Sequence, residues 1–345
     1  MASAKEQAGS RPDVADVRSP GVGATAPGGH PSMMYAPFPT LTAADQAGPF
    51  VAERIAEGSD YLKIISGTGG LWPSLDPGTI QALVIAAHTR GLVVVAHVSS
   101  TAGAGEVVSA GVDVVAHVPA NAELDKALAG RMAEAGIVVG PTLATIENTL
   151  GEPGGAAVAG DPRLAEALGG AWARRLTPDA PGWHGRHMPP CSRAEDNVRR
   201  LADAGVTVLA GTDAPNPGNV FGASLHRELE LLVRCGISPA QALAAATAEP
   251  ARVFGLADRG RVAAGQRADL VLVSGDPLTA TSSRRVHRNQ ATPGFTGTTD
   301  RNGRDARIQA PAQVPVATSA GLPRAAREGE RLQSGRVRTQ VLQVL

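Results

Sequence analysis

Four short apolar runs of this 345-residue chain each carry, or end in, a side chain able to bind a metal ion. They are Tyr61-Leu62-Lys63-Ile64-Ile65, Val93-Val94-Val95-Ala96-His97, Val114-Val115-Ala116-His117-Val118 and Val206-Thr207-Val208-Leu209-Ala210-Gly211-Thr212-Asp213. A single histidine in an apolar strand is usually a hydrogen-bonded core residue. Two with the same apolar lead-in, His97 and His117, favour a shared ligand role. Lys63 strengthens the pattern, because a lysine inside a buried strand is costly unless paired. Carbamylation by CO2 would turn it into a carboxylate able to bridge two metals, whereas a buried Lys–Asp pair would satisfy it without any metal. Asp213, in Gly-Thr-Asp-Ala-Pro just past the end of its run, could bind metal, act as a base, or cap a helix.

The elements that must position these groups read as alternating strands and helices. Continuous β-branched runs of this length mark strands buried on both faces of a parallel sheet. A helix from Pro49 to Glu57, stopped by Gly58, precedes the Lys63 strand. Asp76-Pro77 opens the next, with Asp76 as N-cap and Pro77 in the first helical position. Thr101–Ala110, Ala122–Ala135, Glu195–Gly205, Leu225–Cys235 and Pro239–Ala248 read as further helices, and Ile137–Leu143 as a further strand. This alternation, at spacings of roughly 20 to 35 residues, is the α/β pattern with a parallel sheet. Closed into a barrel, such strands deliver the four groups to one mouth, where (β/α)8 enzymes keep their chemistry.

The remaining stretches are less regular. Ala15-Asp16-Val17-Arg18 could start a strand, and it leads into a Gly- and Pro-punctuated loop, Gly21 to Pro31, that carries His30. Glu147 to Ser192 is rich in Gly, Pro and Ala and holds Trp172, Trp183, His184 and His187. It reads as a long, partly helical insertion over the mouth. Gly260 to Val273 reads as two short β segments around a turn, and residues 281–345 as a disordered tail.

Composition narrows the classes. The formal net charge is zero, which favours neither a nucleic-acid nor a membrane partner, and the Arg-containing tail lacks an aromatic or helical pattern. Two cysteines, Cys191 and Cys235, make no disulfide framework and lie in no nucleophile motif; they fit a reducing, cytoplasmic setting. No apolar stretch approaches a membrane span, and the polar opening residues do not read as a signal peptide. Ser66-Gly67-Thr68-Gly69-Gly70 lacks the Gly-Lys-Ser/Thr of a phosphate loop.

Together these motifs resemble the amidohydrolase superfamily, in its imidazolonepropionase-like and dipeptidase-like branch. The resemblance runs over roughly residues 10 to 278. Its carriers are Ala26-Pro27-Gly28-Gly29-His30-Pro31, Tyr61-Leu62-Lys63-Ile64, Ala96-His97, Ala116-His117, Gly211-Thr212-Asp213, Ser224-Leu225-His226-Arg227-Glu228-Leu229, Ala242 to Thr247 and Gly265 to Val271. It implies an α/β fold, a (β/α)8 TIM-type barrel that is N-terminally incomplete (about strands 3–8). Residues 1–255 would form the partial barrel and 256–280 the remnant of a small β-sandwich. Lys63 would come from the fourth strand, His97 from the fifth, His117 from the sixth and Asp213 from the eighth.

The resemblance further implies one or two divalent metals, usually zinc, with Lys63 as a bridging carbamate. His97 and His117 would complete the more exposed ion, and Asp213 would bind the other and shuttle a proton. His30 and His226 match positions near the mouth and imply substrate contact. The implied reaction is hydrolysis of a C–N bond in a small amide, cyclic amide or dipeptide by metal-activated water. The family's first strand ends in His-x-His, and no such pair occurs in this chain. Catalytic zinc usually takes three protein ligands. The alternative expectation is therefore an inactive remnant holding at most one ion, with open sheet edges that favour self-association.

Overall fold

The computed structural model describes residues 5–6, 8, 15–32, 38–67, 70, 72–177, 189–273, 278 and 286–292. Strands β1 (Leu62–Ile65), β2 (Val94–His97), β3 (Val114–Ala116) and β4 (Val138–Gly140) form one parallel sheet in the order β1-β2-β3-β4. Lys63 pairs with Val95 and Ile65 with His97, and His97 in turn with Ala116. Side chains alternate faces along a strand, so this register puts Lys63, Val95 and His97 on one face. The sheet is extended at both sides by single parallel bridges, Ala24 to Ile64 and Val139 to Val208. Six parallel segments thus run in chain order, an incomplete TIM-type barrel.

Both faces are buried, as continuous β-branched runs require. Leu62, Ile64, Val94, Ala96, Val115 and Val139 face the helices in the larger core cluster, which also holds Leu83, Val107, Leu128 and Met132. Tyr61, Val95, Val114, Ala116, Val138 and Leu209 form a smaller inner cluster. Phe254 lies 5.5 Å from Tyr61, ring centroid to centroid, and joins that cluster.

The connecting helices are α1 (Ala47–Ala56), α2 (Pro77–His88), α3 (Thr101–Ser109), α4 (Lys126–Glu134) and α5 (Leu143–Thr149). They are followed by α6 (Gly154–Ala159), α7 (Pro162–Leu176), α8 (Cys191–Asp203), α9 (Ala223–Arg234), α10 (Pro239–Ala245) and α11 (Ala248–Val253). Local chemistry sets their starts. Asp76, Ser100, Asp125 and Ser238 each accept a backbone N–H of the first turn, satisfying donors that have no intrahelical partner.

Several expectations are corrected. No strand forms at Ala15–Arg18; the pairing residue is Ala24, inside the stretch read as a loop. Ala24 N–H donates to Lys63 O and Ile65 N–H to Ala24 O, both at 2.8 Å. The Val206–Asp213 run forms no continuous strand; it bridges β4 at Val208 alone. Helix α1 begins at Ala47, ahead of Pro49, because a proline in the first turn forgoes an N–H that needs no helical acceptor. Helix α4 begins at Lys126 rather than Ala122, since Asp125 is its cap. The reading of Pro239–Ala248 as one helix fails at Ala246–Thr247, where Pro250 would clash with the carbonyl four residues earlier.

The β module also differs. Strand β5 (Ala268–Val273) pairs antiparallel with β6 (Val286–Thr292), which falls inside the stretch expected to be disordered. Gly260–Ala263 is not a strand. Trp183, His184, His187 and residues 293–345 lie outside the described residues. Asp16 accepts ion pairs from Arg259 at 2.6 Å and Arg267 at 2.5 Å, joining distant parts of the chain.

Candidate active site

Lys63, His97, His117 and Asp213 come together at the C-terminal ends of the parallel segments. The His97 and His117 rings are 5.0 Å apart and edge-on. Asp213 Oδ2 stands 3.8 Å from His117 Nε2. His30 joins them, its ring 5.6 Å from His97 and 5.0 Å from Trp72. His226 sits on the first turn of α9 and is exposed.

Burial governs the charges. Lys63 is 6% exposed, and its Nζ has no hydrogen-bond partner among the described residues. Burial pulls its pKa down to about 8, against a smaller opposing pull from Asp213. The same cause lowers His117 to about 3 and takes His97 well below the ordinary imidazole value, with neighbouring positive charges adding to it. His30 is lowered as well, mainly by burial, and its Nδ1 is buried without a hydrogen-bond partner among the described residues. Asp213 moves the other way, up to about 6, burial outweighing the pull of Lys63 and His30. Neutral imidazoles beside a carboxyl that titrates near neutrality are the protonation states that ligation and proton transfer need.

Residues that no motif singled out hold these groups. His117 Nδ1 is hydrogen-bonded to the Thr142 hydroxyl at 2.5 Å, and His97 Nε2 to the Ser99 hydroxyl at 3.0 Å. Asn216 Nδ2 donates to Asp213 Oδ2 at 2.7 Å and to the Asp213 carbonyl at the same distance. Asp213 itself sits at φ 53°, a left-handed backbone. Gly23 leaves the space Lys63 needs: a Cβ there would lie 2.8 Å from Ile65 Cδ1 and 3.3 Å from Lys63 Cγ. None of these partners is visible in sequence, since each is a common polar or small residue whose role depends on a distant neighbour.

The donor set bears on metal binding. Among the described residues, no three His, Cys, Asp or Glu side chains converge as a ready metal site. His97 and His117 present two neutral nitrogens, and the buried Lys63 Nζ, without a hydrogen-bond partner among the described residues, is a third group whose chemistry fits a ligand role only as a carbamate. The two thiols stand apart from the site chemistry: burial raises Cys191 and Cys235 to about 12. No helix among the described residues is long and apolar enough to cross a membrane.

Comparison with known proteins agrees with this geometry. The family model for the amidohydrolase family matches residues 18–302. An imidazolonepropionase of Deinococcus deserti is 51% identical over 80 residues, 23% of this chain and 20% of that protein. An uncharacterized protein of Mycobacterium tuberculosis is 30% identical over 236 residues, 66% of this chain and 55% of that protein. Among solved structures, a Xaa-Pro dipeptidase with methionine bound in its active site superposes with a TM-score of 0.61 at 22% identity. That match covers 80% of this chain and 67% of the dipeptidase chain, and it speaks for the fold alone. The matches to these two curated relatives span less than two thirds of either one's length.

Proposed function

The chain belongs to the amidohydrolase family, and from that premise we propose that it is an imidazolonepropionase-like or prolidase-like member that hydrolyses a C–N bond in a small amide, cyclic amide or dipeptide. The observation that carries the reading is Lys63 Nζ, buried without a hydrogen-bond partner among the described residues and within electrostatic reach of His97, His117 and Asp213. A lone ammonium is an expensive occupant of such a place, and a carbamate between imidazoles is a reason to keep it.

The family generally uses divalent metals. Lys63, His97 and His117 would hold one ion, with Asp213 close by. Such an ion, zinc by the family's usual choice, would supply a water of lowered pKa and polarisation of the scissile carbonyl. Asp213, with its carboxyl raised to about 6, accepts a proton near neutral pH and returns it to the leaving nitrogen. Asn216 holds the carboxylate oxygen that faces His117. His30 and Trp72 form a tilted aromatic wall against which a flat amide rests, and His226 is assigned a contact at the rim. We divide the chain at residue 255, with the barrel portion before it and the sandwich remnant, carried by β5 and β6, after it. The setting is cytoplasmic, with no nucleic-acid or membrane partner, and self-association through a sheet edge belongs to the same proposal.

Elemental analysis of the purified protein with an amide and dipeptide panel tests this reading. One ion per chain, lost in Lys63→Ala and His117→Ala, is expected. Asp213→Asn should keep the ion and lose about 10^2 to 10^4 of any turnover. Absence of both metal and turnover refutes the proposal. That no three His, Cys, Asp or Glu side chains cluster among the described residues favours a second reading, a remnant that binds one ion without hydrolysing anything. Bound metal with no hydrolysis across the panel would decide for it.

A further inference from the structure

Helix α9 sets two consecutive side chains against α5. Arg227 grips Glu147 through Nε to Oε2 at 2.9 Å and Nη2 to Oε1 at 2.5 Å. Glu228, fully buried, accepts the Ala144 backbone N–H at 2.8 Å, and the N–H groups of Leu143 and Thr142 also bear on its carboxylate. These are the open donors that begin α5. Thr142 is the N-cap residue, yet its side chain caps nothing. Its hydroxyl is engaged with His117 Nδ1 at 2.5 Å instead. Thr142 sits at φ 52°, ψ 46°, left-handed and unfavourable for a β-branched residue, so surrounding contacts must hold it there.

The same turn reaches Asp213. Thr145 donates to the Thr212 carbonyl at 2.7 Å, and Asn219 Nδ2 bonds both the Thr145 hydroxyl and that carbonyl. Glu228 Oε1 has no hydrogen-bond partner among the described residues. Burying a carboxyl with one oxygen unsatisfied is unfavourable, and an apolar side chain would pack at that position without the cost. We infer that Glu228 is a positioning residue: by gathering the first N–H groups of α5 it keeps Thr142 left-handed, and so fixes the ring of His117 and, through Thr145, the backbone that carries Asp213. Calling the site hydrolytic rests on the proposed function; the mechanical link does not.

Nitrogen NMR of the histidine rings in the full-length, chelator-treated protein reads the link. The His117 signals are those lost in His117→Ala. Thr142→Val, which removes the hydroxyl at nearly constant shape, should shift them and leave His88, paired with Asp113 at the surface, where it was. Glu228→Leu, which removes both acceptor oxygens, should shift the same signals. Added to Thr142→Val it should shift them no further, since both act on one bond. A folded Glu228→Leu protein with wild-type His117 signals overturns the inference, as does a fully additive double variant. If that variant does not fold, Glu228→Asp, which draws the carboxylate back by one methylene, gives the same reading. Hydrolysis without the coupled shifts overturns the link alone; coupled shifts without hydrolysis support the link and overturn the proposed function.

Discussion

Lys63→Met should make the metal-free protein more stable. The lysine is 6% exposed and its Nζ lacks a partner among the described residues. Burial takes its pKa from 10.5 to about 8. At about 1.4 kcal/mol per unit, that drop corresponds to ~3 kcal/mol of free energy opposing the charged form in the folded state. At pH 7 the folded and unfolded chains both carry the proton, so the whole penalty is present. Methionine keeps most of the apolar stem and packs adaptably. The variant is therefore expected to gain up to ~3 kcal/mol, read as a higher urea midpoint at unchanged slope. Between pH 8 and 10.5 the unfolded chain binds more protons than the folded one, so the wild type gains stability as pH rises and the gap closes. Zinc with bicarbonate should reverse the order, stabilising the wild type and leaving the variant where it was. A metal-free variant less stable than the wild type, or a gap indifferent to pH, would mean the ammonium is satisfied and the reasoning is wrong.

Three further outcomes are expected. Gly103→Ala would bring a Cβ to 2.2 Å from Gly67 Cα and 2.6 Å from Gly67 O; the clash is with backbone, and thermal unfolding should show a loss of about 3 kcal/mol or more. Asn197, fully buried, accepts from Leu124 N–H at 2.8 Å and donates to Pro119 O at 2.7 Å and Ala122 O at 2.9 Å. Asn197→Ala orphans all three partners and should cost about 3 kcal/mol in chemical denaturation, with a loss under 1 kcal/mol contradicting the contacts. Glu228, raised from 4.5 to about 8 by burial, binds a proton in the folded state over that interval that the unfolded chain has released. The wild type should therefore lose stability relative to Glu228→Gln as pH rises from 5 to 8, and a pH-independent difference between them would contradict this.

The four groups at the strand ends were legible because buried parallel strands leave a plain signature, and a lysine or histidine inside one stands out against it. The segment around Ala24 was not. Gly21 and Gly23 read as punctuation, whereas Gly23 lacks a side chain because Lys63 and Ile65 occupy that space. Strand β6 was hidden for a different reason: Val-His-Arg-Asn-Gln-Ala-Thr has no apolar alternation, and its pairing with β5 is made by backbone alone as far as sequence can tell. Glu228 was invisible as well. A glutamate in an amphipathic helix is by default a solvated residue, and the N–H it accepts lies 84 positions away. What pattern could not supply was every contact in which an ordinary residue serves a distant one.

The sheet runs β1-β2-β3-β4 in the order of the chain, with the Ala24 and Val208 segments added at the matching ends. Each strand finds its partner one βα unit earlier. Synthesis can therefore lay the sheet down from one end, every new unit docking on a template that has already emerged, with no pairing that must wait for a distant segment. The order of emergence is also the order in which the pocket is filled. His30 comes first, Lys63 next, the imidazoles of His97 and His117 follow, and the carboxylate of Asp213 arrives last.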